Sequence, residues 1–88
     1  VTWTCRLSTE AAKQFRRLPK GQRRLVAECI DEMGENPLGG DVRPVKSGRF
    51  KGTLRKRVGQ YRIVFAVDAT SRTVDIAAIL RRGERTYR

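Results

Sequence analysis

Arginine is the residue type in this chain best suited to chemistry, and its spacing is not random. Arg55 and Arg57 stand two apart, Arg62 follows across a short turn, and the sequence ends Arg81-Arg82-Gly83-Glu84-Arg85-Thr86-Tyr87-Arg88. A guanidinium group donates two parallel hydrogen bonds to a phosphate and keeps its charge at any working pH. Several of them on one surface would hold a phosphodiester whose negative charge grows during cleavage. Tyr87 has two possible roles there: its ring can stack on a base, or its phenol can exchange a proton if the arginines favour the phenolate. A solvated basic strand face, or generic nucleic-acid binding, accounts for the same residues on composition alone.

Other catalytic chemistries lack their parts. The chain has no histidine for a Ser or Cys triad, no GxxxxGK[ST] loop and no carboxylate cluster for magnesium. Cys5 and Cys29 form no CxxC or Cys/His motif, so no metal site is expected and both cysteines read as buried apolar residues. No cofactor is expected either.

The net charge of +11 in 88 residues repels itself unless a polyanion or an acidic protein neutralises it. Residues 1–40 carry seven basic and five acidic side chains, against thirteen and four in residues 41–88, so the anion-facing surface belongs to the second half. There is no apolar run long enough to span a bilayer and no signal-like segment, which predicts a soluble cytoplasmic protein without a membrane partner.

The elements that must position these arginines follow from periodicity. Val1, Trp3, Cys5 and Leu7 alternate with Thr2, Thr4 and Arg6, predicting a half-buried strand. Ser8 or Thr9 caps a short helix carrying Ala11, Ala12, Phe15 and Leu18 on one side, which Pro19 interrupts. Leu25, Val26, Cys29, Ile30 and Met33 mark a second helix, closed by Gly34 and Asn36-Pro37. So short a connection predicts an antiparallel helical hairpin. Residues 37–52 hold two of the three prolines and four of the eight glycines and read as a surface loop, whose basic residues Arg43, Lys46, Arg49 and Lys51 could touch phosphate, a solvated loop being the more ordinary reading.

Three strand patterns follow, about Thr53 to Val58, Tyr61 to Asp68 and Thr73 to Leu80, joined by tight turns into an antiparallel meander. The expected fold is a single α+β domain over residues 1–88, ordered β-α-α-β-β-β, with the antiparallel sheet packed on the helical hairpin. Alternation puts Thr53, Arg55 and Arg57 on one face and Leu54, Lys56 and Val58 on the other. Tyr61, Ile63, Phe65 and Val67 form an apolar face, which leaves Arg62 to join Arg55 and Arg57 on the open side.

Arg57-Val58-Gly59-Gln60-Tyr61-Arg62-Ile63-Val64-Phe65-Ala66-Val67 resembles the core motif of the RelE/ParE toxin superfamily. Ala12, Phe15, Leu18-Pro19, Asn36-Pro37 and the closing Thr86-Tyr87-Arg88 extend the resemblance over nearly the whole chain. It implies a RelE-like fold similar to microbial ribonucleases and the toxin of a type II toxin-antitoxin pair. A RelE-like member would be a metal-independent, ribosome-dependent endoribonuclease acting on mRNA. The partners implied are the ribosome, mRNA and a cognate acidic, RelB-like antitoxin.

Carried over position by position, the resemblance implies catalytic roles for Arg55, Arg62, Arg82 and Tyr87, with Arg82 favoured over Arg81. RNA contacts would come from Arg49, Lys51, Thr53, Lys56, Arg57, Arg81 and Arg85. Thr53 departs from the pattern, which has a lysine there; threonine supplies no cationic proton donor. Two competing readings remain at this point: a ParE-like inhibitor of DNA gyrase on the same fold, and a noncatalytic RNA- or ribosome-binding module.

Overall fold

The computed structural model describes residues 2–82. In chain order the elements are β1 (Thr4–Leu7), α1 (Thr9–Arg17), α2 (Lys20–Met33), β2 (Val42–Pro44), β3 (Leu54–Val58), β4 (Tyr61–Asp68) and β5 (Thr73–Arg81). Each boundary has a local cause. Ser8 takes extended dihedrals and its Oγ accepts the Ala11 amide at 3.0 Å, so α1 starts on a capped turn. Leu18 and Pro19 break the helix, and α2 begins at once because proline's fixed φ suits a helix entry. Gly34 closes α2, and its carbonyl accepts the Thr2 and Trp3 amides at 3.0 and 2.8 Å. Those bonds occupy the Thr2 and Trp3 amides, and β1 begins at Thr4; Val1, which alternation also places in the strand, lies outside the described residues.

The five strands form one sheet in the order β1-β5-β4-β3-β2. The meander β3-β4-β5 is antiparallel as expected, and so is β2 against β3, whereas β1 lies parallel to β5 on the far edge. Two expectations are corrected here. The loop expected over residues 37–52 contains a strand: Val42, Arg43 and Pro44 pair with Lys56, Arg55 and Leu54. Flanking glycines and a proline hid it, and proline is tolerated because β2 is an edge. The sheet is consequently mostly antiparallel with five strands, not an antiparallel four.

One face of the sheet packs on the helices. Ile63, Phe65, Val74, Ile76 and Ile79 meet Ala11, Leu18, Val26, Cys29 and Met33 there. Leu25, expected within this stripe, stays 46% exposed. Burial of this kind contributes about 1.5–3 kcal/mol per large side chain. The opposite face has a second, smaller cluster of Val45, Phe50, Val64, Ala78 and Leu80.

The two clusters reveal a parity change in β5. Val64 pairs with Ala78 but Phe65 pairs with Ile76, so Ala77 is an extra residue, a β-bulge. Helix α1 grips the irregularity from one side: Ser8 Oγ donates to the Ala77 carbonyl at 2.7 Å, and Gln14 Oε1 accepts the Ile79 amide at 2.6 Å. Before the bulge Val74 and Ile76 face the helices; after it Ile79 does, while Ala78 and Leu80 face away.

Candidate functional site

On the face away from the helices, the pairing of β2, β3, β4 and β5 sets side chains into two cross-strand rows. In one, Arg43 lies opposite Arg55, Arg55 opposite Val64 and Val64 opposite Ala78. In the other, Arg57 lies opposite Arg62 and Arg62 opposite Leu80, while the Arg57 amide donates to the Asp41 carbonyl at 3.3 Å. Directly opposed residues have Cβ atoms about 5 Å apart, and opposed like charges repel. Four guanidinium groups are thus held in a small area by backbone pairing rather than by their own attraction.

Those groups and one carboxylate enclose a concavity of about 270 Å³ lined by Asp41, Arg43, Arg55, Arg57 and Arg62. A second hollow of about 370 Å³ shares Arg43, Arg55 and Arg62 and is walled by Pro44, Val45, Lys46 and Ser47. Arg62 is the electrostatic centre. Burial pulls its guanidinium down from the ordinary arginine value, and the neighbouring charges of Arg55, Arg82 and Arg57 add to the shift. A negative charge beside these guanidinium groups would act in the opposite direction. Among the described residues Asp41 supplies a counter-charge, with Oδ1 3.5 Å from Arg43 Nε and Oδ2 3.7 Å from Arg57 Nε.

The sequence-predicted residues divide among different surroundings. Arg55, Arg57, Arg62 and Arg82 converge on this face, and the Ala77 bulge explains Arg82's presence. By strict alternation from Ile76 it would face the helices; the extra residue turns it to the open side and turns Arg81 away. Arg81 instead lines a hollow with Gln14, Leu18 and Tyr61.

Lys56 does not join the cluster. It is 7% exposed on the helix side of β3, among Cys29, Glu28 and Glu32, where it pulls the buried Cys29 thiol back down against the larger upward push of burial. Its assignment to an RNA-contacting surface is therefore at odds with its position, because alternation points it the other way from Arg55. Thr53 spends its hydroxyl on the Phe50 carbonyl at 2.6 Å and closes the turn before β3. Arg49 is paired with Glu10 on α1 and lies over the Phe50 ring, 4.7 Å from its centroid. Lys51 is exposed on the same turn. Arg85 and Tyr87 lie outside the described residues. Among the described residues no group of His, Cys, Asp or Glu is arranged to hold a metal.

Two members of the site were not assigned to it from sequence. Arg43 was credited only as a loop cation, and Asp41 was not singled out. Their signal was present in Asp41-Val42-Arg43, which repeats the spacing of Arg55-Lys56-Arg57, but the surrounding glycines concealed the strand.

A family model described as the ParE toxin of type II toxin-antitoxin system, parDE, matches residues 5–86. The chain belongs to this toxin family. No curated protein matches it by sequence. Solved structures share the toxin's architecture across nearly its whole length. The RelE-RelB complex from the archaeon Pyrococcus horikoshii OT3 aligns with a TM-score of 0.81 at 23% identity, covering 96% of this chain and 99% of that one. The RelBE2 toxin-antitoxin complex from Mycobacterium tuberculosis aligns at 0.71 and 27% identity, covering 93% and 100%. The isolated E. coli RelE toxin aligns at 0.74 and 15% identity, covering 93% and 86%. The toxin is thus a member of the RelE/ParE superfamily, as its core motif suggested, and its α+β layers are those of the RelE-like fold.

Proposed function

We propose that this toxin is a ribosome-dependent endoribonuclease that cuts mRNA without a metal, and that a cognate acidic, RelB-like antitoxin neutralises it. The observation that carries the proposal is the pair of cross-strand rows joining Arg43, Arg55, Arg57 and Arg62 around one concavity. Guanidinium groups fixed in advance stabilise a phosphorane-like transition state because their positioning cost is met during folding. The 2′-oxygen of the nucleotide before the cut attacks phosphorus and loses its proton; the bond to the 5′-oxygen breaks, and that oxygen gains one. The products are a 2′,3′-cyclic phosphate and a free 5′-hydroxyl. Arg62 and Arg55 hold the phosphoryl oxygens, Arg82 adds charge from the end of β5, and Tyr87 carries the proton. With threonine at position 53, that last task is not shared by a lysine at this position.

The test is to incubate translating ribosomes with the antitoxin-free toxin and map message ends. Cuts inside ribosome-covered codons, bearing 5′-hydroxyl ends and lost in Arg62→Ala and Tyr87→Phe, are expected. Intact messages, with both variants as harmful to cells as the parent, would overturn the assignment.

A second reading is a ParE-like inhibitor of DNA gyrase. Two observations favour it: the matching family model is the ParE toxin, and the Thr53 hydroxyl is committed to the turn. Loss of supercoiling by purified gyrase on adding the toxin discriminates it from message cleavage.

A further inference from the structure

Among the described residues that line the smaller concavity, Asp41 is a carboxylate set among four arginines. It is the carboxylate lining the 270 Å³ concavity, and it is held there by more than charge. Its carbonyl accepts the Arg57 amide at 3.3 Å, which ties it to β3. Gly40 before it has φ +83, a left-handed conformation that side chains rarely adopt, and a Cβ there would lie 3.3 Å from Lys56 Cε. The backbone therefore delivers the Asp41 carboxylate between Arg43 and Arg57, one oxygen toward each.

The geometry points to Asp41 as a positioning residue: a resident anion that occupies the phosphate seat between Arg43 and Arg57 and directs the scissile phosphate to Arg55, Arg62 and Arg82. This rests on the ribonuclease reading above. A surface of five arginines without an acid would attract phosphates at several places, only one of which presents the 2′-oxygen correctly. One carboxylate at the β2 edge lowers the positive potential there relative to the β4-β5 end, where Arg55 and Arg82 stand beside Arg62. The neighbouring phosphate of the chain can still reach Arg43 or Arg57, but only by displacing a tethered competitor. Asp41 therefore weakens binding while improving its register.

The experiment compares the parent toxin with Asp41→Asn and Asp41→Glu. Binding of a 2′-O-methyl RNA oligonucleotide, which cannot react by 2′-attack, is followed over a salt series, and cleavage of unmodified message is measured on ribosomes. Asp41→Asn is expected to bind about 3- to 10-fold more tightly, the effect of one well-solvated charge roughly 5–6 Å away. Its salt dependence steepens by about 0.7 in log-log slope for each phosphate newly engaged. On ribosomes KM and kcat both fall, and Asp41→Glu stays near the parent. Unchanged affinity and salt slope in Asp41→Asn, with the parent binding and cutting normally, would refute the role of Asp41 alone. Affinity falling together with the unfolding midpoint would reduce the residue to a structural one and refute it equally. A parent that neither binds the oligonucleotide nor cuts message overturns the ribonuclease reading and this one together.

Discussion

The two faces of the sheet are made by the same strands and obey opposite physics. Strand β4 sends Ile63 and Phe65 into the helix-covered core, both fully buried, and Arg62 and Val64 to the other side. On the helix side, apolar area removed from water holds the layers together. The open side assembles like charges that repel one another, and Val45, Phe50, Val64, Ala78 and Leu80 form a small apolar floor beside them. The covered face provides the stability that lets the open face remain electrostatically strained. A charged surface of this kind is maintained at some cost to the fold, as the proposed RNA-cleaving role would require.

The largest test of that contrast is a pair of substitutions. Phe65→Ala should destabilise the toxin by about 3–5 kcal/mol in a denaturant titration, the usual consequence of emptying an aromatic site in a core. Arg62→Met should instead change stability by no more than about 1 kcal/mol, since it leaves the helix-side core untouched. In the same variant cleavage on ribosomes should fall by about 100-fold or more. A large stability loss in Arg62→Met would mean that the open face is held together by interactions of Arg62 rather than strained by it.

A second pair separates neighbours on one strand. Arg55→Ala should weaken RNA binding and reduce the log-log salt slope by about 0.7, the loss of one phosphate contact to a single strand. Lys56→Ala should leave binding within about twofold and instead cost about 1 kcal/mol of stability, because its buried stem packs against the helix side. Arg82→Ala and Arg81→Ala make the same comparison across the Ala77 bulge, with the larger loss of cleavage expected for Arg82→Ala.

Smaller effects probe the supports. Ser8→Ala removes both the α1 cap and the bond to the Ala77 carbonyl, and should cost about 1–2 kcal/mol in thermal unfolding. Hydrogen bonds from Ser71 and then Thr70 hold the Asp68 carboxyl below its usual range. A carboxyl depressed in the folded state stabilises above its unfolded pKa of about 3.9 and loses that contribution as pH falls through the lower folded value. The stability difference between the parent and Asp68→Asn should therefore shrink on acidification below about pH 4.

Much of this could be anticipated from local pattern. The cap at Ser8, the break at Leu18-Pro19, the stop at Gly34 and the three meander strands are fixed by nearest neighbours, whose influence on backbone geometry does not depend on distant contacts. Arg55, Arg57 and Arg62 could be placed on one face because alternation along β3 and β4 is uninterrupted. Strand β2 could not, since three residues between glycines and a proline carry too little pattern of their own and become a strand only through pairing with β3.

The sequence by itself therefore determined the layers, the face on which three arginines stand and the excess of positive charge. Tertiary structure decided which further groups meet them. Arg82 reaches the open side through one extra residue in β5, stabilised by side chains of a helix more than sixty positions earlier. Asp41 enters among the arginines because a left-handed glycine and an edge pairing bring it there. Both depend on contacts between segments far apart in the chain, and alternation cannot be followed through a bulge whose cause lies on another element.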